Sequence, residues 1–413
     1  MPLSIFILLA VFFLIIVRRI GNIYLQIWQI MLLGAVAALI TGEIKPVPAL
    51  RAIDIDVMLF LFGMFVVGQA LEESGYLAHL SYKIFKSAKN VNYLMLYILF
   101  GMGAASAILM NDTLAIIGTP VMLLLARKHN ISSKLLLLAL AFAVTIGSVL
   151  SPIGNPQNLL IALHGDFRNP FLTFFRYLLL PTVLNLVLTL WVLRYFYPDE
   201  FHDESLNHSQ EPIKDKKLAR LSRISLLVIL ALVALKIATV FWGGTAHYRL
   251  TYIALLGATP IILFSRRRFE ILRKIDWSTL VFFAAMFVLM AAVWESYFFQ
   301  EWIDRMELDI TKLTMILTLS IVLSQMISNV PLVALYMPML QHAGAAQNEL
   351  IALAAGSTIA GNMLILGAAS NIIIIQNAEK RAGITVTFWE FARVGVPLTV
   401  INAMVYWVFL KVM

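Results

Sequence analysis

Residues 53–74, IDIDVMLFLFGMFVVGQALEES, and residues 275–296, IDWSTLVFFAAMFVLMAAVWES, are two copies of one segment. At an offset of 222, Asp54 meets Asp276, Phe60 meets Phe282, and Met64-Phe65-Val66 meets Met286-Phe287-Val288. Glu73-Ser74 meets Glu295-Ser296. Downstream the offset is 218, where Ser106 meets Ser324, Asn111 meets Asn329 and Pro120 meets Pro338. Further on it is 213, pairing Thr145 with Thr358, Gly154 with Gly367 and Asn158 with Asn371. Blocks in the same order at nearly constant spacing argue for a duplicated unit of about 200 residues. In a membrane chain, paired Gly, Pro and Asn interruptions of matching apolar segments point to a transporter's binding site.

Composition sets the solvent. The chain is 61% hydrophobic and 13% charged, with a mean hydropathy of +0.87. Soluble domains lie nearer half apolar and a quarter charged. Apolar runs near 20 residues recur from end to end, each long enough to cross a bilayer. The net charge of +8 does not imply a nucleic-acid partner, because the basic residues fall in short loops where topology explains them. With no cysteine there are no disulfides, thiolate metal sites or cysteine nucleophiles. The apolar stretch 2–17 has no basic residue before it and no A-x-A site after it, so it reads as a first span.

The spans fall at 2–17, 23–41, 55–73, 133–164 and 171–197, and again at 222–241, 247–264, 277–295, 347–377 and 387–411. Two longer segments, 92–126 and 309–341, are interrupted by Asn111-Asp112-Thr113 and Ser328-Asn329-Val330-Pro331. Their flanks are short for full crossings, so they read as re-entrant hairpins with polar tips; tightly joined full spans are the other reading. Segments 133–164 and 347–377 read as spans unwound near Ser151–Asn158 and Gly367–Asn371. The expected fold is therefore an all-α integral membrane protein of two repeats, 1–197 and 222–413, joined by a linker at 198–221. Each repeat holds five transmembrane spans plus a re-entrant hairpin. An odd number of spans inverts the second repeat relative to the first. Scaffold spans cover 2–73 and 222–295, and the linker's histidines and acidic pairs read as a solvated tether rather than a metal site. Stretch 77–90 reads as an interfacial helix, with 296–308 as its aromatic-rich counterpart.

The unwound segments and hairpin tips carry the candidate chemistry. In hydrocarbon, non-helical backbone persists only when it is buried in protein or lines a wet cavity. Ser148-Val149-Leu150-Ser151-Pro152-Ile153-Gly154-Asn155-Pro156-Gln157-Asn158 lacks two amide donors at its prolines and carries a glycine free of side-chain constraint. Ser151, Gly154, Asn155, Gln157 and Asn158 are the candidates there. Asn362, Gly367, Ser370 and Asn371 are the candidates at the second break, and Asn111, Asp112, Thr113, Ser328 and Asn329 at the tips. Half-helix N-termini favour a bound anion, and unwound carbonyls can hold Na⁺. Asp112 is the acidic residue at a mid-membrane tip, and its repeat mate is Val330. It reads as a proton or cation carrier or as an N-cap for 113–126. No arginine falls in either break, so anion binding must rest on amides, hydroxyls, helix dipoles and a co-bound cation.

These residues resemble the ion transporter superfamily, in the branch of arsenite-efflux permeases, citrate–metal/proton symporters and NhaD-type sodium/proton antiporters. The matching residues are Asn111-Asp112-Thr113 through Pro120, Ser328-Asn329-Val330-Pro331, and Gly361 through Asn371 with Ala378-Glu379-Lys380. The resemblance implies a scaffold domain, a transport domain of hairpins and broken helices, and a homodimer. The chain also resembles the divalent-anion/sodium symporters, but Asp112 stands where a symmetric tip would not place a carboxylate. That departure favours proton use over a two-sodium mechanism. The expected function is secondary active transport of a small anion or oxyanion across the cytoplasmic (inner) membrane, coupled to H⁺ or Na⁺, by elevator-type alternating access. A Na⁺/H⁺ antiporter without an anion substrate, or an arsenite/antimonite efflux permease, is the alternative. No resident cofactor is expected beyond bound Na⁺. An enzyme is not expected either, since H-E-x-x-H, G-x-S-x-G and cysteine are all lacking.

Loops on one side of this arrangement carry about 20 Lys and Arg, against about 7 on the other. The positive-inside rule then makes the linker cytoplasmic and leaves both termini outside. In intact cells, Ser209→Cys should be shielded from an impermeant thiol reagent and Gly243→Cys labelled. The reverse labelling pattern would invert this topology.

Overall fold

The fold was described from a computed structural model covering residues 2–17, 19–20, 23–201, 212–241, 250–298, 301 and 309–412. Among these residues the chain is helical apart from a two-residue ladder pairing Arg19–Ile20 with Ile23–Tyr24. The first helices are α1 (Leu3–Val17), α2 (Ile27–Ile40), α3 (Pro46–Ala52), α4 (Ile55–Glu73) and α5 (Tyr76–Phe85). Next come α6 (Val91–Leu96), a π-helical turn at Tyr97–Met102, α7 (Gly103–Leu109), α8 (Asn111–His129), α9 (Ser133–Ser148), α10 (Pro156–His164) and α11 (Pro170–Phe196). The second half holds α12 (Lys216–Phe241), α13 (Leu250–Phe264), α14 (Arg268–Lys274) and α15 (Trp277–Glu295). It ends with α16 (Leu313–Ile327), α17 (Asn329–His342), α18 (Gln347–Ile359), α19 (Ala369–Ala382) and α20 (Phe388–Val412).

Local sequence explains where the long helices start. Asp54 accepts a hydrogen bond from Val57 N at 3.0 Å, and its repeat mate Asp276 accepts from Thr279 N at 3.3 Å. Each aspartate thereby satisfies an orphan donor at the head of α4 or α15. Asn155-Pro156 and Asn169-Pro170 open α10 and α11 with an asparagine cap and a proline in the first turn. Five of the described helices are long and apolar enough to cross a membrane: Ile55–Glu73, Val91–Ile108, Pro170–Phe196, Trp277–Glu295 and Phe388–Val412. Val91–Ile108 is the first arm of the segment expected to be too short in its flanks for a full crossing; it reaches spanning length because the helix continues through the π-helical turn. Large apolar side chains such as Trp191, Tyr195, Phe264 and Met404 remain exposed. A contiguous apolar exterior of this kind is stable only in lipid or against a partner. This is a multi-pass membrane protein.

Packing recurs in pairs related by the repeat. Helix α4 lies against α13 as α2 lies against α15, and α1 against α15 as α12 against α4. Arm α7 packs on α9 as α16 packs on α18. Arms α8 and α17 pack on α9 and α18 and also reach across, α8 onto α19 and α17 onto α10. Helices α11 and α20 pack against each other.

Several expected boundaries move. Each hairpin tip is a single non-helical residue, Met110 or Ser328, so Asn111, Asp112, Thr113 and Asn329 already belong to helices. Both tip residues have left-handed φ, 68° with ψ 145° at Met110 and 69° with ψ 159° at Ser328. That conformation reverses the chain without an intervening loop. Asp112 is consequently not an N-cap, because that position belongs to Met110. The first break spans 149–155, so Gln157 and Asn158 lie in the first turn of α10 rather than in unwound chain. The second break begins earlier than expected, with a 3₁₀ turn at Ala360–Asn362, and helix resumes at Ala369 ahead of Ser370 and Asn371. In both, an asparagine or alanine in extended conformation restarts the helix sooner than Pro and Gly content suggests. Helix α12 starts at Lys216, inside the segment expected to be linker; residues 202–211, including both linker histidines, lie outside the described set. Most of the aromatic stretch 296–308 also lies outside it. The interfacial stretch 77–90 is helical only to Phe85, with Leu77 and Phe85 buried and Lys83 and Lys86 exposed.

Helices α7 and α9 meet backbone to backbone. A Cβ on Gly147 would lie 2.1 Å from Gly103 O, closer than any real contact. Gly147→Ala should therefore lower the melting temperature of the purified protein strongly, since overpacking costs about 1–3 kcal/mol or more. Gly101→Ala, where nothing lies within 4 Å, should be close to neutral. Equal melting temperatures for the two variants would refute the contact.

Candidate functional site

The first break is closed by its own side chains. Asn155 Oδ1 accepts from Asn158 N at 2.9 Å, and Asn155 Nδ2 donates to Ser148 Oγ and Thr358 Oγ1, both at 3.1 Å. Asn158 Nδ2 lies within 3.1–3.3 Å of the carbonyls of Ser148, Val149 and Ser151. Thr358 Oγ1 donates to Asn158 Oδ1 at 3.1 Å, tying the two repeats together. Ser151 Oγ accepts from Ile153 N at 3.2 Å. Gly154 is required because a Cβ there would sit 2.2 Å from Ser148 O. Its carbonyl accepts from Asn111 N at 3.0 Å, which seats the first hairpin tip on the first break. Gln157 is buried in the first turn of α10.

The second break is built from the equivalent positions with a different outcome. Asn371 Nδ2 donates to Gly361 O at 2.6 Å and Leu364 O at 3.3 Å, as its mate Asn158 does. Asn371 Oδ1, however, makes no hydrogen bond, and neither does Thr145 Oγ1, the mate of Thr358 Oγ1. Ser370 Oγ, Asn362 Oδ1 and Asn329 Oδ1 are also buried without a hydrogen-bond partner. The second tip is held through Gln325, whose Nε2 donates to Ala360 O at 2.8 Å. Gly367 leaves room for that side chain, since a Cβ there would lie 2.7 Å from Gln325 Oε1. No bond joins Asn329 N to Gly367 O, the pair that would match Asn111 and Gly154.

At the first tip, Asn111 Oδ1 accepts from Asp112 N at 3.0 Å, and Thr113 is buried. Asp112 is half-buried, with an Oδ1 that is buried and makes no hydrogen bond. One turn later, Ile116 Cγ2 lies 3.1 Å from where a Cβ on Gly68 of α4 would be. Asp112 therefore shares the face that α8 turns to α4. Ser328 at the second tip lines a cavity with Gln325, Leu366 and Ala369, walled by Met286 and Met290 of α15.

Sequence reading singled out the break and tip residues, Ser148 among the unwound ones, but did not count Ser148, Thr145, Thr358 or Gln325 as site candidates. The pairing of Thr145 with Thr358 was visible as a repeat signal; that the hydroxyls reach the asparagines was not. Among the described residues no group of three or more His, Asp or Glu could hold a metal ion.

The inequality of the two threonines is testable. Thr358→Val strips a donor from Asn158 and an acceptor from Asn155, and each buried group left unpaired costs about 1–3 kcal/mol. Its melting temperature should fall clearly, whereas Thr145→Val should match wild type. Equal losses would show that the two breaks are built alike.

Comparison with known proteins supports a transporter. The family described as Citrate transporter matches residues 11–350. A 46 kDa membrane protein of Mycobacterium leprae is 28% identical over 85% of this chain and 84% of its own. The silicon efflux transporter LSI3 of Oryza sativa subsp. japonica is 27% identical, covering 90% of this chain and 89% of its own. The putative transporter arsB of Dictyostelium discoideum is 22% identical over 90% and 84%. Among solved structures, the Alcanivorax borkumensis YdaH transporter aligns with 89% of this chain and 86% of its own, at 14% identity and a TM-score of 0.49. With the family matched over most of its length, the chain belongs to the citrate transporter family and is a membrane transporter, not an enzyme.

Proposed function

We propose that the protein is a secondary active transporter that moves a small anion or oxyanion across the cytoplasmic membrane, coupled to H⁺ or Na⁺. The observation that carries this reading is the inequality of the two breaks. The first is saturated by Asn155, Asn158 and Thr358 and serves as a rigid frame. The second, with its hairpin tip, leaves the oxygens of Asn329, Asn362, Ser370 and Asn371 unpaired. Buried acceptors are costly unless something donates to them or coordinates them. Oxygen-rich unwound backbone suits Na⁺, and the N-termini of α17 and α19 favour an anion beside it. The family's description and the relative named as a silicon efflux transporter fit a small oxyacid or its anion. Asp112 is the proton carrier in this reading.

Movement follows the packing. Hairpins and broken helices (α6–α10 and α16–α19) shift as one body against a scaffold of α1–α4 and α12–α15, in two inverted units. The linker is cytoplasmic, both termini lie outside, and the protein works as a homodimer. The last turns of α19 dock on the scaffold. Lys380 Nζ lies 3.7 Å from Asp276 Oδ1, Thr279 Oγ1 donates to Gln376 Oε1 at 2.5 Å, and Arg381 pairs with Glu72. An elevator-type shift must break these contacts.

Uptake of labelled citrate into proteoliposomes, with imposed pH and Na⁺ gradients, tests the reading. Asn329→Ala should weaken half-saturation by roughly 5- to 150-fold, the equivalent of one buried hydrogen bond. Glu72→Cys with Arg381→Cys, joined by a bismaleimide that carries a reducible disulfide in its spacer, should stop net uptake, and reduction of the spacer should restore it. Full uptake by the cross-linked protein would eliminate the relative movement. Gradient-driven Na⁺/H⁺ exchange without any anion flux would replace the proposal with an antiporter.

A further inference from the structure

Residues 182–185 read TVLN and residues 399–402 read TVIN, one motif repeated at an offset of 217. The repeat places Asn185 on α11 and Asn402 on α20, both fully buried. The two meet directly, with Asn402 Nδ2 donating to Asn185 Oδ1 at 3.0 Å. Repeat mates in direct contact lie where the relation between the two halves closes on itself. The chain then extends toward one break only. Asn362 Nδ2 donates to Asn402 Oδ1 at 3.1 Å, whereas the mate of Asn362 at an offset of 213 is Val149, which has no amide to offer. Helix α20 also presses on this break through its backbone, since a Cβ on Gly395 would lie 2.2 Å from Asn362 O.

Three primary amides linked in a row leave one oxygen free at one end and one NH₂ at the other. The free oxygen is Asn362 Oδ1 and the free amine is Asn185 Nδ2. The amine end lies beside the Tyr406 hydroxyl, short of a well-aligned hydrogen bond; that hydroxyl is itself 2.8 Å from Thr182 Oγ1. The oxygen end lies inside the second break. Because the NH₂ of Asn362 is committed to Asn402, the oxygen is what the break presents.

We propose that Asn402 and Asn185 are positioning residues, which hold the Asn362 amide with its oxygen turned toward a cation at the second break. This deepens the proposed function and rests on its reading that a cation binds there. A lone amide can turn through 180° and offer NH₂ instead, which repels a cation. The Asn402 carbonyl removes that freedom, and the Asn185 carbonyl in turn orients Asn402. A purely structural amide pair, tying α11 to α20 as buried polar groups do between membrane helices, would leave cation affinity unmoved.

The experiment measures the melting temperature of the purified full-length protein against NaCl concentration, with KCl holding ionic strength constant. Wild type should be stabilised by Na⁺. Asn362→Ala and Asn402→Leu should each raise the half-saturating Na⁺ concentration by about tenfold, as for one lost ligand interaction. The double variant should be no worse than Asn362→Ala alone, because Asn402 acts through Asn362. Asn402→Asp, which still offers an oxygen to Asn362 Nδ2, should restore Na⁺ affinity. Asn185→Leu should shift it in the same direction by less, and this supplies the test if Asn402→Leu does not fold. A lower melting temperature with unchanged Na⁺ affinity in Asn402→Leu or Asn185→Leu would overturn the proposal, as would additive losses in the double variant. Absence of any Na⁺ effect in wild type would also overturn it, while citrate uptake measured separately in proteoliposomes would still decide the transport reading.

Discussion

Asn158 stands where two requirements of a membrane interior collide. A helix interrupted inside the protein frees backbone carbonyls that water cannot reach, and each must find a donor. One amide group, Asn158 Nδ2, answers the carbonyls of Ser148, Val149 and Ser151 together. Its oxygen is held by Thr358 from the other repeat, so the repair of one half depends on the other. The seat of the first hairpin follows from that repair, because Gly154 O, fixed in the same turn, receives Asn111 N. Gly103 and Gly147 complete the frame by letting α7 and α9 touch through their backbones.

The same device at the second break is left open. Asn371 repeats the backbone repair, but its oxygen and the hydroxyl of Thr145 do not join. Substitution accounts for part of the divergence. Ser148 is replaced by Gly361 and Asn155 by Ala368, which removes a hydroxyl and an amide from the network. Val149 is replaced by Asn362, which brings in an amide that reaches away to Asn402. The two breaks match in sequence at an offset of 213, and a few side-chain differences leave one saturated and the other with unpaired oxygens. That difference is the physical basis for placing ion and substrate at the second break in the proposed mechanism.

In the proposed mechanism, the end of α19 is a polar seam between the moving body and the scaffold. Gln376, Lys380 and Arg381 face Thr279, Asp276 and Glu72, and a cavity beside them is lined by further polar side chains, Gln69, Lys274 and Asn377. Each ion pair has one partner largely shielded from solvent, Asp276 in one and Arg381 in the other, so a charge released there must find a new partner. Apolar faces such as the methionines of α15 adapt to changed neighbours, because an unbranched thioether has several accessible rotamers.

Much of the architecture was legible in the chain. Apolar length gave the spans, the repeat offsets paired them, and Asp54 with Asp276 marked matching helix starts, because each of these signals is local or periodic. Asn111, Asn329, Asn158 and Asn371 stood out as polar residues in apolar surroundings, where burial without purpose is expensive. The exact extent of each break was not legible. Met110 and Ser328 alone carry the hairpin reversals, through backbone angles that neither residue type announces, and the helices resume before the last polar residues of each break. Nor could spacing reveal that Thr358 reaches Asn158 while Thr145 and Asn371 stay apart, or that Asn185, Asn402 and Asn362 form one chain. Those are hydrogen bonds between residues about 40 to 220 positions apart. Their geometry depends on how helices from both repeats are set against one another, to within an ångström. Apolar length and the repeat offsets determined which stretches are spans and which polar residues interrupt them; only tertiary packing decided which of their polar atoms find each other and which are left unpaired.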